Sequence, residues 1–146
     1  MTDAPRSIQQ TRPIPLRAAS ERWPPPLPRP LTSFIGRERE EGELSSLITR
    51  GDTSLVTLVG PAGVGKTRLA LQTATALESA FTLVGFASLA PVTDPEQIVP
   101  PAGTALGIRE PSLSRIGEQL ADVPTLLVLD NLEQIPGAAG IVALLL

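Results

Sequence analysis

The stretch that most constrains this chain is Gly60-Pro61-Ala62-Gly63-Val64-Gly65-Lys66-Thr67, which follows the apolar run Leu55-Val56-Thr57-Leu58-Val59 and opens a helical pattern. Its glycines let the backbone wrap closely around a small object, because they carry no Cβ and tolerate positive φ. A loop wrapped in that way ahead of a helix aims several N–H groups at one point, and an anion is what such a point holds. The spacing G-x-x-x-x-G-K-[ST] between a strand and a helix is the P-loop pattern that cradles nucleotide phosphates. Lys66 supplies a point charge for the β- and γ-phosphates, and the Thr67 hydroxyl can ligate Mg²⁺. Pro61, Ala62 and Val64 fill the variable positions, and Arg68 follows in the first helical turn. All of residues 60–68 therefore count as candidate cofactor-binding positions, with ATP or ADP and Mg²⁺ as the cofactors. The plain alternative is a glycine-rich turn ahead of an ordinary helix; the flanking apolar run and helical pattern weigh against it.

A second half of the site is expected at Leu126-Leu127-Val128-Leu129-Asp130-Asn131. A buried strand ending in an acid suits the carboxylate that holds Mg²⁺ beside Thr67, so Thr67 and Asp130 are the candidate metal residues. Taken alone, an acid at a strand end often caps the next turn. Many P-loop ATPases place Glu directly after this Asp to orient the attacking water, but here that position is Asn131. Glu133 is the nearest alternative acid and the candidate catalytic residue; it reads equally well as a solvated turn residue. The pattern supports binding better than turnover, and hydrolysis by this chain alone is not expected.

Composition narrows the chemistry further. The 146 residues include no Cys and no His, which excludes disulfides, thiolate or imidazole metal sites, and Ser-His or Cys-His nucleophile pairs. A net charge of −3 shows no basic excess, so no nucleic-acid-binding element is expected in this chain. The N-terminus has no apolar core of a signal peptide, and no apolar run reaches the length of a bilayer span, so a cytoplasmic protein without membrane partners is expected.

Repeated proline disfavours helix and removes donors, so residues 1–30 read as a disordered, Pro-rich arm leading into a domain at residues 31–146. Within that domain the spacing predicts a helix over residues 37–50, weakened by about 1 kcal/mol at Gly42. A strand at 55–59, apolar enough for burial on both faces, and a helix over 65–80 follow. A strand at 81–89 precedes a helix start at Thr93-Asp94-Pro95-Glu96, which Pro100-Pro101 should break or restart. A helix near 112–121, a buried strand at 125–129 and an apolar helix at 137–146 complete the order. Strands alternating with helices predict an α/β fold with a parallel sheet.

Two stretches carry a resemblance: Leu27-Pro28-Arg29-Pro30-Leu31-Thr32-Ser33-Phe34-Ile35-Gly36-Arg37-Glu38, and Val59 through the P-loop to Arg68-Leu69-Ala70. Together with Leu89-Ala90-Pro91-Val92-Thr93-Asp94-Pro95 and Leu127-Val128-Leu129-Asp130-Asn131-Leu132-Glu133, they make residues 27–146 similar to the nucleotide-binding module of STAND ATPases. These signal-transducing ATPases are related to NB-ARC domains and to large LuxR-type and SARP-type bacterial transcriptional regulators. The resemblance implies a P-loop NTPase fold, three-layer α/β/α with a parallel sheet. It implies that Ile35, Gly36 and Arg37 lie against adenine and ribose, and that ATP/ADP exchange acts as a switch, with self-association in a full-length parent. It also implies a strand order of 5-1-4-3-2, in which a strand not present here separates the P-loop strand from the Asp130 strand. The chain is therefore expected to be the N-terminal part of a longer regulator, its sheet incomplete at the C-terminus. A general P-loop ATPase or kinase-like enzyme, and a remnant with no activity of its own, are the alternatives.

Overall fold

The computed structural model describes residues 24–29 and 36–146. Ile35 and most of the expected arm lie outside the described residues. Of the arm, residues 24–29 carry no helix or strand, and Leu27 within them is buried.

Helix α1 (Glu38–Thr49) begins with Glu38, Glu40 and Glu41 in its first turn, where carboxylates answer the positive end of the helix, and it buries Leu44. Helix α2 (Lys66–Ala76) springs directly from Gly65 and buries Leu69, Leu71, Thr73 and Ala74. It is shorter than the expected 65–80, because Leu77 already leaves helical geometry at its C-terminal cap. Strand β1 (Leu83–Ser88) leads to a 3₁₀ turn, Pro95–Ile98, where the Asp94 carboxylate accepts from the Glu96 N–H at 3.0 Å. The chain passes straight from that turn into α3 (Val99–Ala105). Pro100 and Pro101 thus restart a helix: in the first turn, the N–H a proline lacks would have had no intrahelical partner. Helix α4 (Leu113–Leu120) is capped by Ser112, whose hydroxyl accepts from the Arg115 N–H at 3.3 Å. Such caps are each worth about 1 kcal/mol. Strand β2 (Thr125–Asp130), a 3₁₀ turn at Leu132–Gln134 and α5 (Ala138–Leu145) follow.

The expected α/β class with a parallel sheet is observed: β1 and β2 pair in parallel, from Leu83 opposite Thr125 to Ser88 opposite Asp130. Side chains alternate across a strand, and Gly85, Ala87, Leu127 and Leu129 share the face that carries α3 and α5. There Ala87, Leu89, Ile98, Ala105, Ile135 and Ala138 form one buried cluster. Val99, Leu106, Ile108 and Ile116 form a second, and Leu127 and Ile141 pack against both. The approach of α3 to β1 depends on Gly85, because a Cβ there would stand 2.8 Å from the Ala105 carbonyl oxygen.

Two expectations fail. Residues 55–59 form no strand; the sheet of the described residues contains β1 and β2 only. Leu55 is 55% exposed and Val59 90% exposed, so the run is not buried on either count. The second failure is β2, which is half-buried along its whole length rather than enclosed. Both have one cause. A β-strand exists by virtue of the ladder it joins, and apolar, β-branched residues cannot supply a neighbour. Among the described residues β2 has β1 bonded to one edge and no strand to the other, so it is incompletely covered, and residues 55–59 form no ladder with that open edge.

Candidate functional site

The glycine-rich loop leads into a helix as expected, without the expected strand before it. Gly63 and Gly65 hold φ of +77° and +92°, values that side-chain-bearing residues avoid, and α2 starts at the next residue. No side chain caps α2, and no acidic residue occupies its first turn. The positive end of the helix is therefore not answered by a carboxylate of its own first turn. Gly60, Pro61, Ala62 and Gly63 are exposed, whereas residues 64–68 are half-buried where the loop enters the helix.

Lys66 turns back onto the loop. Its ammonium donates to the Gly60 carbonyl at 2.8 Å and the Pro61 carbonyl at 3.1 Å. The charge is thus held over the loop by main-chain acceptors, which a phosphate oxygen would have to match. Thr67, one residue on, points to the sheet: its hydroxyl donates to the Asp130 carboxylate at 2.8 Å across 63 positions of sequence. Alternation along β2 accounts for the meeting. Leu127 and Leu129 face α3 and α5, so Asp130 falls on the opposite face, and α2 contacts β2 there.

The structure therefore brings together the loop, Lys66, Thr67 and Asp130. Arg68 sits half-buried in the same helical turn. Gly36 and Arg37 lie at the start of α1, outside the hydrogen bonds that join the loop and α2 to Asp130. Gly36, at φ +85°, donates its N–H to the Glu38 carboxylate at 3.1 Å, and Arg37 is the N-terminal cap residue of α1. Among the described residues the Arg37 side chain makes no hydrogen bond or ion pair. Ile35 lies outside the described residues. Glu133 is exposed on the 3₁₀ turn after β2.

The donor set can be tested against Mg²⁺. Among the described residues no three or more Asp, Glu, His or Cys side chains cluster, so the protein offers one hydroxyl and one carboxylate. Both are hard oxygen donors. Magnesium keeps several waters and is commonly held by one or two protein oxygens together with phosphate oxygens, so the pair fits it.

Two residues to which sequence reasoning gave no structural role shape the end of β2. Asn131 adopts the left-handed region, and Gln134 donates from its amide to the Leu89 carbonyl at 3.1 Å. The tolerance of Asn for left-handed geometry was the available signal for the first. Nothing in the sequence marked the second.

Comparison with known proteins gives partial relatives. The chain is 40% identical over 117 residues to uncharacterized proteins of Mycobacterium bovis and Mycobacterium tuberculosis, a match covering 77% of this chain and 29% of each relative. It is 38% identical over 90 residues to a Mycobacterium tuberculosis protein whose name reads "Putative HTH-type transcriptional regulator", covering 59% of this chain and 10% of that protein. The chain thus spans less than a third of the length of these relatives. No family model matches it, and no solved structure does. No helix of the described residues is long and apolar enough to cross a membrane.

Proposed function

We propose that residues 60–67 and Asp130 form an ATP/ADP site with Mg²⁺, within a P-loop NTPase fold of the STAND type, and that the chain is the nucleotide-binding segment of a signalling regulator. The observation that carries this reading is the 2.8 Å hydrogen bond from Thr67 to Asp130, which joins two motifs far apart in sequence. In this reading the amides of the loop and the start of α2 hold the phosphates, and Lys66 leaves the Gly60 and Pro61 carbonyls to meet the β- and γ-phosphate oxygens. Thr67 and Asp130 would hold Mg²⁺, which would neutralise charge on the phosphates. With Asn131 after Asp130 and Glu133 exposed, the residues serve occupancy of the site rather than rapid hydrolysis, which suits a switch. The regulator name belongs to a longer relative, and it is compatible with such a role for this segment. A switch of this kind would work in the cytoplasm, where its nucleotides are.

Calorimetry with ADP and with a non-hydrolysable ATP analogue tests the reading. Lys66→Ala should weaken binding at least tenfold, about 1.4 kcal/mol. Equal affinity in the wild type and the variant overturns it.

A further inference from the structure

Asn131 stands one residue beyond the carboxylate that meets Thr67, at φ +64° and ψ +26°. Residues with a Cβ resist this left-handed geometry, Asn less than most, and glycine not at all. Here the left-handed residue ends β2 and turns the chain into the 3₁₀ turn Leu132–Gln134. Gln134 then reaches back across the sheet, its side-chain amide donating to the Leu89 carbonyl at 3.1 Å. Leu89 is fully buried, and its own N–H donates to the Asp130 carbonyl at 3.0 Å. The contacts close a circuit from Asp130 through the left-handed corner to Gln134, across to Leu89 and back to Asp130. The main chain of Asp130 is gripped by that circuit while its carboxylate accepts from Thr67.

We propose that Asn131 and Gln134 are positioning residues for Asp130: the left-handed corner at 131, locked onto β1 by Gln134, holds the carboxylate in the aim that serves Thr67 and a divalent cation. The proposal rests on the reading of Thr67 and Asp130 as a cation site. It assigns position 131 to backbone geometry. A glutamate there would strain the corner rather than supply a base, so Asn131→Glu would not convert the site to fast hydrolysis.

The test uses the full 146-residue chain, with ADP affinity measured by calorimetry in the presence and absence of Mg²⁺, and Mn²⁺ uptake read by electron paramagnetic resonance. Asn131→Val and Gln134→Leu should each reduce cation affinity about tenfold, the scale of losing a residue that orients a metal ligand, while ADP affinity without cation is unchanged. Asn131→Gly, which keeps the corner and loses the side chain, should stay close to the wild type. Hydrogen exchange reads the same circuit without any ligand: the Leu89 amide should exchange faster in Asn131→Val and Gln134→Leu, and at the wild-type rate in Asn131→Gly. Should Asn131→Gly lose as much as Asn131→Val, the corner is not what matters and the proposal falls. A wild-type Mg²⁺ effect that Asn131→Val and Gln134→Leu both leave intact overturns the proposal alone. If the wild type shows no Mg²⁺ effect, the cation-site reading falls and takes the proposal with it.

Discussion

Adding one methyl group at Gly85 and one at Gly117 should move the stability of this protein in opposite directions. At Gly85, on β1, the new Cβ would lie 2.8 Å from the Ala105 carbonyl oxygen and 3.0 Å from Leu106 Cδ2. The first of these is main chain of α3 and cannot rotate away, so the helix must retreat from the sheet by roughly half an ångström, the kind of overpacking that costs about 1–3 kcal/mol. The reduced freedom of the unfolded chain returns about 0.4–1 kcal/mol, leaving a net loss centred on about 1.3 kcal/mol. At Gly117, in the middle of α4, the Cβ meets nothing within 4 Å and the residue is exposed. Only helix propensity then counts, and alanine gains about 0.8–1 kcal/mol over glycine there. In urea, with a slope of about 2 kcal/mol/M, the middle of the range for a small domain, the midpoint should fall by roughly 0.6 M in Gly85→Ala and rise by roughly 0.4–0.5 M in Gly117→Ala. Far-UV circular dichroism follows both transitions. An unchanged or raised midpoint for Gly85→Ala, with the slope unaltered, would show that α3 does not lie against β1 as described.

Other outcomes follow from the same structure. A double-mutant cycle with Thr67→Val and Asp130→Ala should give a coupling of about 1–2 kcal/mol in unfolding stability, as expected of a half-buried hydrogen bond to a carboxylate; strictly additive losses would mean that the two side chains do not meet. Amide exchange at residues 56–59 should be fast and exchange at residues 84–87 and 126–129 slow, and strong protection of the former would reveal a ladder partner for that segment. The Glu38 carboxyl is held below the usual carboxylate range by its own backbone N–H and then by that of Gly36. A depressed pKa stabilises the folded state above the ordinary carboxylate pKa, and that contribution is lost as pH falls through the folded value. A nuclear magnetic resonance titration should therefore find Glu38 below the free-glutamate value, and Glu38→Gln should remove the matching part of the acid dependence of α1.

What the sequence determined by itself was local. Gly63 and Gly65 marked the left-handed turns, Thr93-Asp94-Pro95-Glu96 marked a helix start, and period and length separated the helices from β1 and β2. Each of those signals acts within a few residues of the position it shapes, so one chain suffices to read it. The sequence also held both halves of the candidate site, Gly60 to Thr67 and Asp130, but as two patterns 63 or more positions apart. Only the tertiary structure decided that Thr67 and Asp130 touch, because that depends on which face of β2 is taken by α3 and α5. It decided against the strand at residues 55–59 for a related reason: Leu55, Val56, Leu58 and Val59 have the composition of a buried strand, but a ladder needs a second chain segment alongside. The corner at Asn131 lay between the two cases. Its residue type permits left-handed geometry, and the lock from Gln134 to Leu89 that makes use of it spans 45 positions, a distance over which propensity carries no information.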